Sequence, residues 1–311
     1  MVSNLQLNLQ IIDSFAEKHD IIAGACHAAP LDLARLASPF VPFVSPDMAK
    51  RTDPHVSLRG VKSIVVIGVG FSNAKNLEVQ EDVLYTTAPN EAQLSSLGVN
   101  NDYHVRVKNL LRKLVAELKV HGDFKHKILV DSPYLDERAL AERAGIGFFG
   151  RNGLIISKKF GSYFNIGCLL TTLELPHSLH RQSHCLSCPP DCNLCIKSCP
   201  AGALGGGNLN AVSCISYLTQ KDKLSPEEEK LLGGQLYGCD ICQDVCPFNA
   251  KKQVTRVNPQ EWLDMSDEAF NKKYGDTAML WRGAEILRRN AHIAACSSDR
   301  AANPSPKILK L

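Results

Sequence analysis

Nine of the chain's twelve cysteines fall within 62 residues, and six of those form two copies of one pattern. The copies are Cys192-x2-Cys195-x3-Cys199-Pro200 and Cys239-x2-Cys242-x3-Cys246-Pro247. Bacterial ferredoxins hold cubane clusters with such runs, and in two-cluster forms the cysteine before proline ligates the other cluster. The reason is steric. Two-residue gaps let consecutive thiolates reach corners of one cube, and the longer gap before proline turns the next sulfur towards a neighbour. A single C-x2-C would suit zinc as well, whereas two runs each closed by Cys-Pro favour two [4Fe–4S] clusters.

Cys214 lies between the runs. The remaining corner is less regular, because Pro189 stands where an unbroken run would have cysteine. Cys188, in a Cys188-x3-Cys192 spacing, is the nearer choice, and Cys185 is the alternative. Cys26, Cys168 and Cys296 are scattered and read as ordinary thiols. A disulfide framework belongs to secreted chains. The N-terminus MVSNLQLNLQ has neither a basic n-region nor an apolar h-region, and no apolar run approaches the ~20 residues of a bilayer span. The expectation is a cytoplasmic protein with no membrane partner.

The 311 residues, 44% hydrophobic and 22% charged, have ordinary globular composition and exclude disordered and coiled-coil classes. Helical spacing is predicted over 4–18, 102–118 and 135–145, and buried or half-buried strands over 63–68 and 126–131. Strands over 153–157 and 162–175 are expected to pair through the KKFG turn. The polar, His-rich stretch 176–184 reads as a linker. The predicted organisation is an α/β domain over 1–184, a cysteine module over 185–250 and a short helical tail over 251–311. That tail holds 11 Lys/Arg against 7 Asp/Glu in a chain of net charge +3, and Arg282, Arg288 and Arg289 fall on one predicted helix. A solvated face explains such a cluster, and a nucleic-acid partner is compatible with it.

A carrier of electrons needs only the cysteine module, so the preceding domain points to an enzyme. Its nucleotide motifs are weak: the stretch 68–73 (GVGFSN) lacks the third glycine of a dinucleotide fingerprint. Asp53-Pro54-His55 begins like a corrinoid motif that supplies cobalt with a histidine, but Leu58 stands where that motif needs glycine.

Several stretches together resemble the epoxyqueuosine reductases, the QueG family. They are RTDPHVSLRGVKSIVVIG (51–68), DYH (102–104), VDSPYLDERALAERAGIGFFGRNGLIIS (130–157), GSYFNIG (161–167), CISYLTQ (214–220), YGCDICQDVCPFN (237–249) and WRGAEILRRNAHIA (281–294). The resemblance implies an α+β fold, with a nitroreductase-like cobalamin-binding domain followed by a ferredoxin-like module of two [4Fe–4S] clusters. It implies reduction of epoxyqueuosine to queuosine at the wobble position of tRNA. The partners would be tRNA bearing epoxyqueuosine in its anticodon loop and an external electron donor of flavodoxin or ferredoxin type. Electrons would pass through the clusters to base-off cobalamin.

Carried over by position, Cys188, Cys192, Cys195 and Cys246 would hold one cluster, and Cys199, Cys214, Cys239 and Cys242 the other. Asp131 matches the proton donor, a role suited to a carboxylic acid whose pKa burial has raised. Ile155 and Ile166 match positions lining the corrin, with Arg51, Asp131, Asn152, Ser162 and Ser216 as further contacts. A small-molecule corrinoid reductase of dehalogenase type and a pure electron-transfer protein are the alternatives. The stretch QLSSLGVNN before DYH departs from the family's aromatic- and Arg-bearing pattern. The chain also reads as a short member lacking most of the C-terminal helical repeats. Any grip on RNA is then expected from the basic tail and from Lys221 and Lys223, through salt-sensitive phosphate contacts.

Overall fold

A computed structural model describes residues 4–32, 40–71, 91–99, 101–176, 187–205, 208–250 and 254–297. The expected linker 176–184 lies almost wholly outside the described residues, as does Cys185. The chain divides into two compact units: Met1–Gly70, Tyr103–Cys192 and Phe248–Ala250 form the first, and Phe71–Asp102, Asn193–Pro247 and Lys251–Leu311 the second. The grouping differs from a three-part division along the chain. Residues of the α/β stretch and of the tail join the cysteine module in one unit.

The first unit is built on an antiparallel four-stranded sheet. In order across it lie Ile22–His27, Ser63–Gly70, Phe164–Thr171 and His126–Leu129. Ser63–Gly70 is β-branched and buried along nearly its whole length, as a central strand covered on both faces must be. Its side chains alternate between two cores. Val65, Ile67 and Val69 face helices Asn4–Lys18 and Tyr103–Lys119 through Ile12, Phe15, Val107, Leu111 and Leu114. Ile64 and Val66 pack with Cys26, Cys168, Leu140, Ala141 and Ile146 on the other side. Fully burying one such aliphatic side chain contributes about 1.5–3 kcal/mol. Burial pushes the Cys26 thiol up to about 12, so it stays protonated among its apolar neighbours.

One expected pairing is different. Ile155–Ile156 pairs with Phe148–Phe149, and only a bridge between Ser157 and Gly161 joins the two stretches flanking KKFG. Phe164–Thr171 instead lies between Ser63–Gly70 and His126–Leu129. Its long apolar run can be buried on both faces only inside a sheet.

The second unit has a three-stranded sheet with Ala92–Leu94 at its centre. That strand is parallel to Gln235–Tyr237 and antiparallel to Thr255–Val257. Leu236, Trp262, Phe270, Met279, Leu287 and Ala291 make the core beneath it. The helix predicted to carry Arg282, Arg288 and Arg289 breaks at Gly283, φ +87°, into a 3-10 turn, Ala278–Arg282, and an α-helix, Ala284–Ser297. Fully buried Asn290 on that helix donates to the carbonyls of Thr219 and Leu236, both at 2.8 Å, tying it to the module and the sheet.

Candidate active site and cluster-binding cysteines

Asp131 sits in the loop after strand His126–Leu129, in the left-handed backbone region at φ +50°. The other side of the site comes from the first turn of helix Tyr103–Lys119. The Tyr103 hydroxyl donates to Asp131 Oδ2 at 2.7 Å, and His104 Nε2 lies 3.6 Å from the same oxygen. The Tyr103 and His104 rings stack at 4.1 Å between centroids. Arg106 anchors this turn by donating to the Gly70 carbonyl at 2.9 Å.

The His104 imidazole 3.6 Å away, and then the hydrogen bond from Tyr103, hold the Asp131 carboxyl below its ordinary range against an opposing desolvation. This corrects the expectation of a raised pKa. The side chain is 69% exposed, so solvent screens its neighbours and the carboxylate is the resting form.

Beneath the loop, Glu137 accepts the N–H groups of Asp131 and Ser132 on its two oxygens, each at 3.0 Å. Desolvation is the main cause that pushes its carboxyl up to about 8. Asp136 caps the helix Glu137–Arg143 by accepting from the N–H groups of Arg138 and Ala139. It also faces Arg51 at 3.6 Å and Arg138 at 3.3 Å.

The residues expected at cobalamin mostly fall in the first unit. Arg51 ends the short helix Met48–Thr52, is 5% exposed and stacks over Phe40 at 4.4 Å. Asn152 is 3% exposed in the turn before Ile155, where its Oδ1 accepts the Leu154 N–H at 3.2 Å. Arg51 Nε and Asn152 Nδ2 are buried with no hydrogen-bond partner among the described residues. Ile155 is core, while Ile166 is only partly covered, opposite Gly68.

Ser162 is fixed by Asn249, which accepts its N–H at 2.7 Å and donates to its hydroxyl at 2.9 Å. Ser216 belongs to the second unit, on helix Ile215–Leu218, where its carbonyl accepts from Thr219 Oγ1 and Gln220 Nε2.

Among the cysteines, Cys199, Cys214, Cys239 and Cys242 are brought together in the second unit. Cys214 feels Cys199, Cys239 feels Cys214 and Cys199, and Cys242 feels Cys239, Cys214 and also Cys195. Burial raises the thiols of Cys214, Cys239 and Cys242. Backbone N–H groups of Ser216 and Tyr217 at Cys214, and of Ile241 at Cys239, favour the thiolate. Iron, when bound, would stabilise that thiolate further, and a set of thiolate donors suits a soft, sulfur-ligated cluster.

Cys188 and Cys192 belong to the first unit, Cys195 and Cys246 to the second. The Arg151 N–H donates to Cys188 Sγ at 3.4 Å, and its guanidinium to the Pro190 carbonyl.

The arginines from which the tail's grip on RNA is expected also make contacts within the second unit. Arg282 pairs with Asp222 and donates to the Gln220 carbonyl; Arg288 donates to the Met265 carbonyl and pairs with Asp267 at 2.6 Å. Arg289 donates to the carbonyls of Leu218, Lys221 and Asp222. Lys221 is held by Glu228. Arg282 and Arg289 fasten the tail to the module.

Sequence reading noted DYH but assigned no role to Tyr103 or His104, and passed over Glu137 and Asn249. The signal within reach was the adjacency of two hydrogen-bonding aromatics at a predicted helix start.

Two family models match the chain: "Epoxyqueuosine reductase QueG, DUF1730" over residues 51–132 and "4Fe-4S double cluster binding domain" over 184–249. An epoxyqueuosine reductase of Lactococcus garvieae is 35% identical over 278 residues, covering 84% of this chain and 77% of the relative. A crystal structure of epoxyqueuosine reductase with an epoxyqueuosine-modified tRNA-Tyr stem loop superposes with TM-score 0.83. It is 29% identical and covers 96% of this chain and 83% of that one. A Bacillus subtilis epoxyqueuosine reductase, solved with its catalytic loop swung out of the active site, gives TM-score 0.81 at 29% identity, covering 96% and 83%. Among the described residues, no helix is long and apolar enough to cross a membrane. Identity of this extent, over more than two thirds of both chains, places the protein in the epoxyqueuosine reductase family.

Proposed function

We propose that this chain reduces epoxyqueuosine to queuosine in tRNA, and that Asp131 delivers the proton taken by the epoxide oxygen. The reaction opens a carbon–oxygen bond, consumes two electrons and two protons, and releases water as the alkene forms. The observation that carries the reading is the Tyr103–His104–Asp131 constellation. A carrier of electrons needs no such acid.

The residues present fit a corrinoid. Among the described residues, Arg51 Nε and Asn152 Nδ2 are buried donors lacking an acceptor, and a corrin is fringed with amide carbonyls. A buried donor left unpaired costs about 1–3 kcal/mol, which a bound acceptor would restore. Ile166, only partly covered, would add apolar surface for the ring, while Ile155 is buried in the core behind it. When bound, cobalamin would supply reducing chemistry at carbon, with electrons drawn from an external donor of flavodoxin or ferredoxin type.

The remaining work falls to side chains. Tyr103 fixes the Asp131 carboxyl by its hydrogen bond. His104 stands at the same oxygen and is placed to pass to it, within each turnover, the proton that Asp131 delivers. The sets Cys188, Cys192, Cys195, Cys246 and Cys199, Cys214, Cys239, Cys242 would ligate the two clusters. The substrate assignment follows the relative that was solved with modified tRNA.

The test is anaerobic reconstitution with iron, sulfide and cobalamin, then incubation with a strong reductant and epoxyqueuosine tRNA. Nucleoside digestion should yield queuosine. Its absence with both clusters and cobalamin bound would sink the assignment. Asp131→Asn should reduce turnover by about 10²–10⁴-fold, and full turnover by that variant would remove the proton-donor role.

A further inference from the structure

Asp20 and Asp131 are the two non-glycine residues with positive φ among those described. A side chain in that region crowds its own carbonyl, so contacts outside the residue must hold it there. At Asp131 the contacts are specific. The N–H groups of Asp131 and Ser132 both end on the Glu137 carboxyl, one on each oxygen. On the far side of the loop, the Ser45 N–H donates to the Pro133 carbonyl at 2.8 Å. Glu137 opens the helix Glu137–Arg143, whose cap, Asp136, is held by Arg51 and Arg138. The carboxyl therefore sits on a braced base, and the start of the loop hangs from it by two bonds.

We propose that Glu137 is a positioning residue for the reaction, a clamp that keeps the loop 131–134 folded inward so that Asp131 meets Tyr103 and His104. Both Glu137 oxygens are occupied by backbone donors, so its part is played through Asp131. The inference rests on the reading of Asp131 as proton donor. Losing the clamp frees the backbone at Asp131 to leave the left-handed region, and the carboxyl moves away from its two partners.

The experiment uses the cluster-loaded protein. Glu137→Ala removes both acceptors, and Glu137→Gln keeps one carbonyl while setting an amide N–H against the other donor. Amide hydrogen exchange at Asp131 and Ser132 should quicken by about ten- to a hundredfold in Glu137→Ala, with Glu137→Gln in between. Exchange in strand Phe164–Thr171 and iron content should stay unchanged. On epoxyqueuosine tRNA, kcat should fall by a similar factor with KM unchanged, and Glu137→Gln should recover part of it.

Wild-type exchange rates in both variants would overturn the clamp, and so would faster exchange with kcat intact. If Glu137→Ala does not fold, Glu137→Gln alone must exceed the wild-type exchange rate. If the wild type makes no queuosine, the assigned reaction fails, while the exchange rates still decide whether Glu137 holds the loop.

Discussion

The Tyr103 hydroxyl and the Asp131 carboxylate, 28 residues apart in sequence, meet at 2.7 Å. The bond stabilises the charged form of Asp131, as does His104 on the same oxygen, and His104 has the larger effect. Removing either partner should therefore raise the Asp131 pKa. Carboxyl carbon-13 titration by NMR should show an upward move in Tyr103→Phe and a larger one in His104→Ala. A fall in either variant would contradict the assignment of these bonds. Raising the pKa enlarges the protonated fraction at neutral pH, so any loss of turnover in Tyr103→Phe would report lost orientation.

The first cluster's irregular corner gives a second prediction. Cys188 accepts an N–H from Arg151, a contact that orders its sulfur. Cys188→Ser should lower iron and sulfide by about half after anaerobic reconstitution, since one of two equal clusters is lost. Cys185→Ser should retain both. The reverse result would make Cys185 the ligand.

A third concerns Gly161, at φ +57°. A Cβ there would fall 1.9 Å from Asn249 Oδ1 and 2.8 Å from the Phe248 carbonyl. The same Asn249 carries the reciprocal pair with Ser162. Gly161→Ala should destabilise by about 2–4 kcal/mol, combining left-handed strain with loss of that pair. The urea midpoint checks it. The double variant Gly161→Ala/Asn249→Ala should cost less than the sum of its parts, because both substitutions break one arrangement.

What the sequence could show follows from the range of each interaction. Cluster ligation is nearly local, so the two Cys-Pro runs were legible from spacing. So was Ser63–Gly70, whose unbroken apolar run can only be buried. Tyr103 reaches Asp131 across 28 residues, and Asn249 reaches Ser162 across 87, which no local pattern encodes. Ala92–Leu94 is three residues long and takes its place from partners on both sides. The tail arginines looked like a solvent-facing patch because their acceptors are mostly backbone carbonyls, which leave no mark in composition.

The last prediction concerns pH. Glu137 is held near 8 in the folded protein against an ordinary 4.5, chiefly by desolvation. Below 4.5 folded and unfolded chains both carry the proton, and the stabilisation is fully present. Between 4.5 and about 8 the unfolded chain releases its proton while the folded chain keeps it, so stability falls as pH rises. Above about 8 both are ionised and the slope vanishes. Glu137→Gln has no such group. The difference in urea midpoint between wild type and Glu137→Gln should therefore shift against the wild type from pH 5 to pH 8 and level off beyond. A difference independent of pH across that window would mean that Glu137 is ionised throughout, gripping the two loop N–H groups as a full carboxylate.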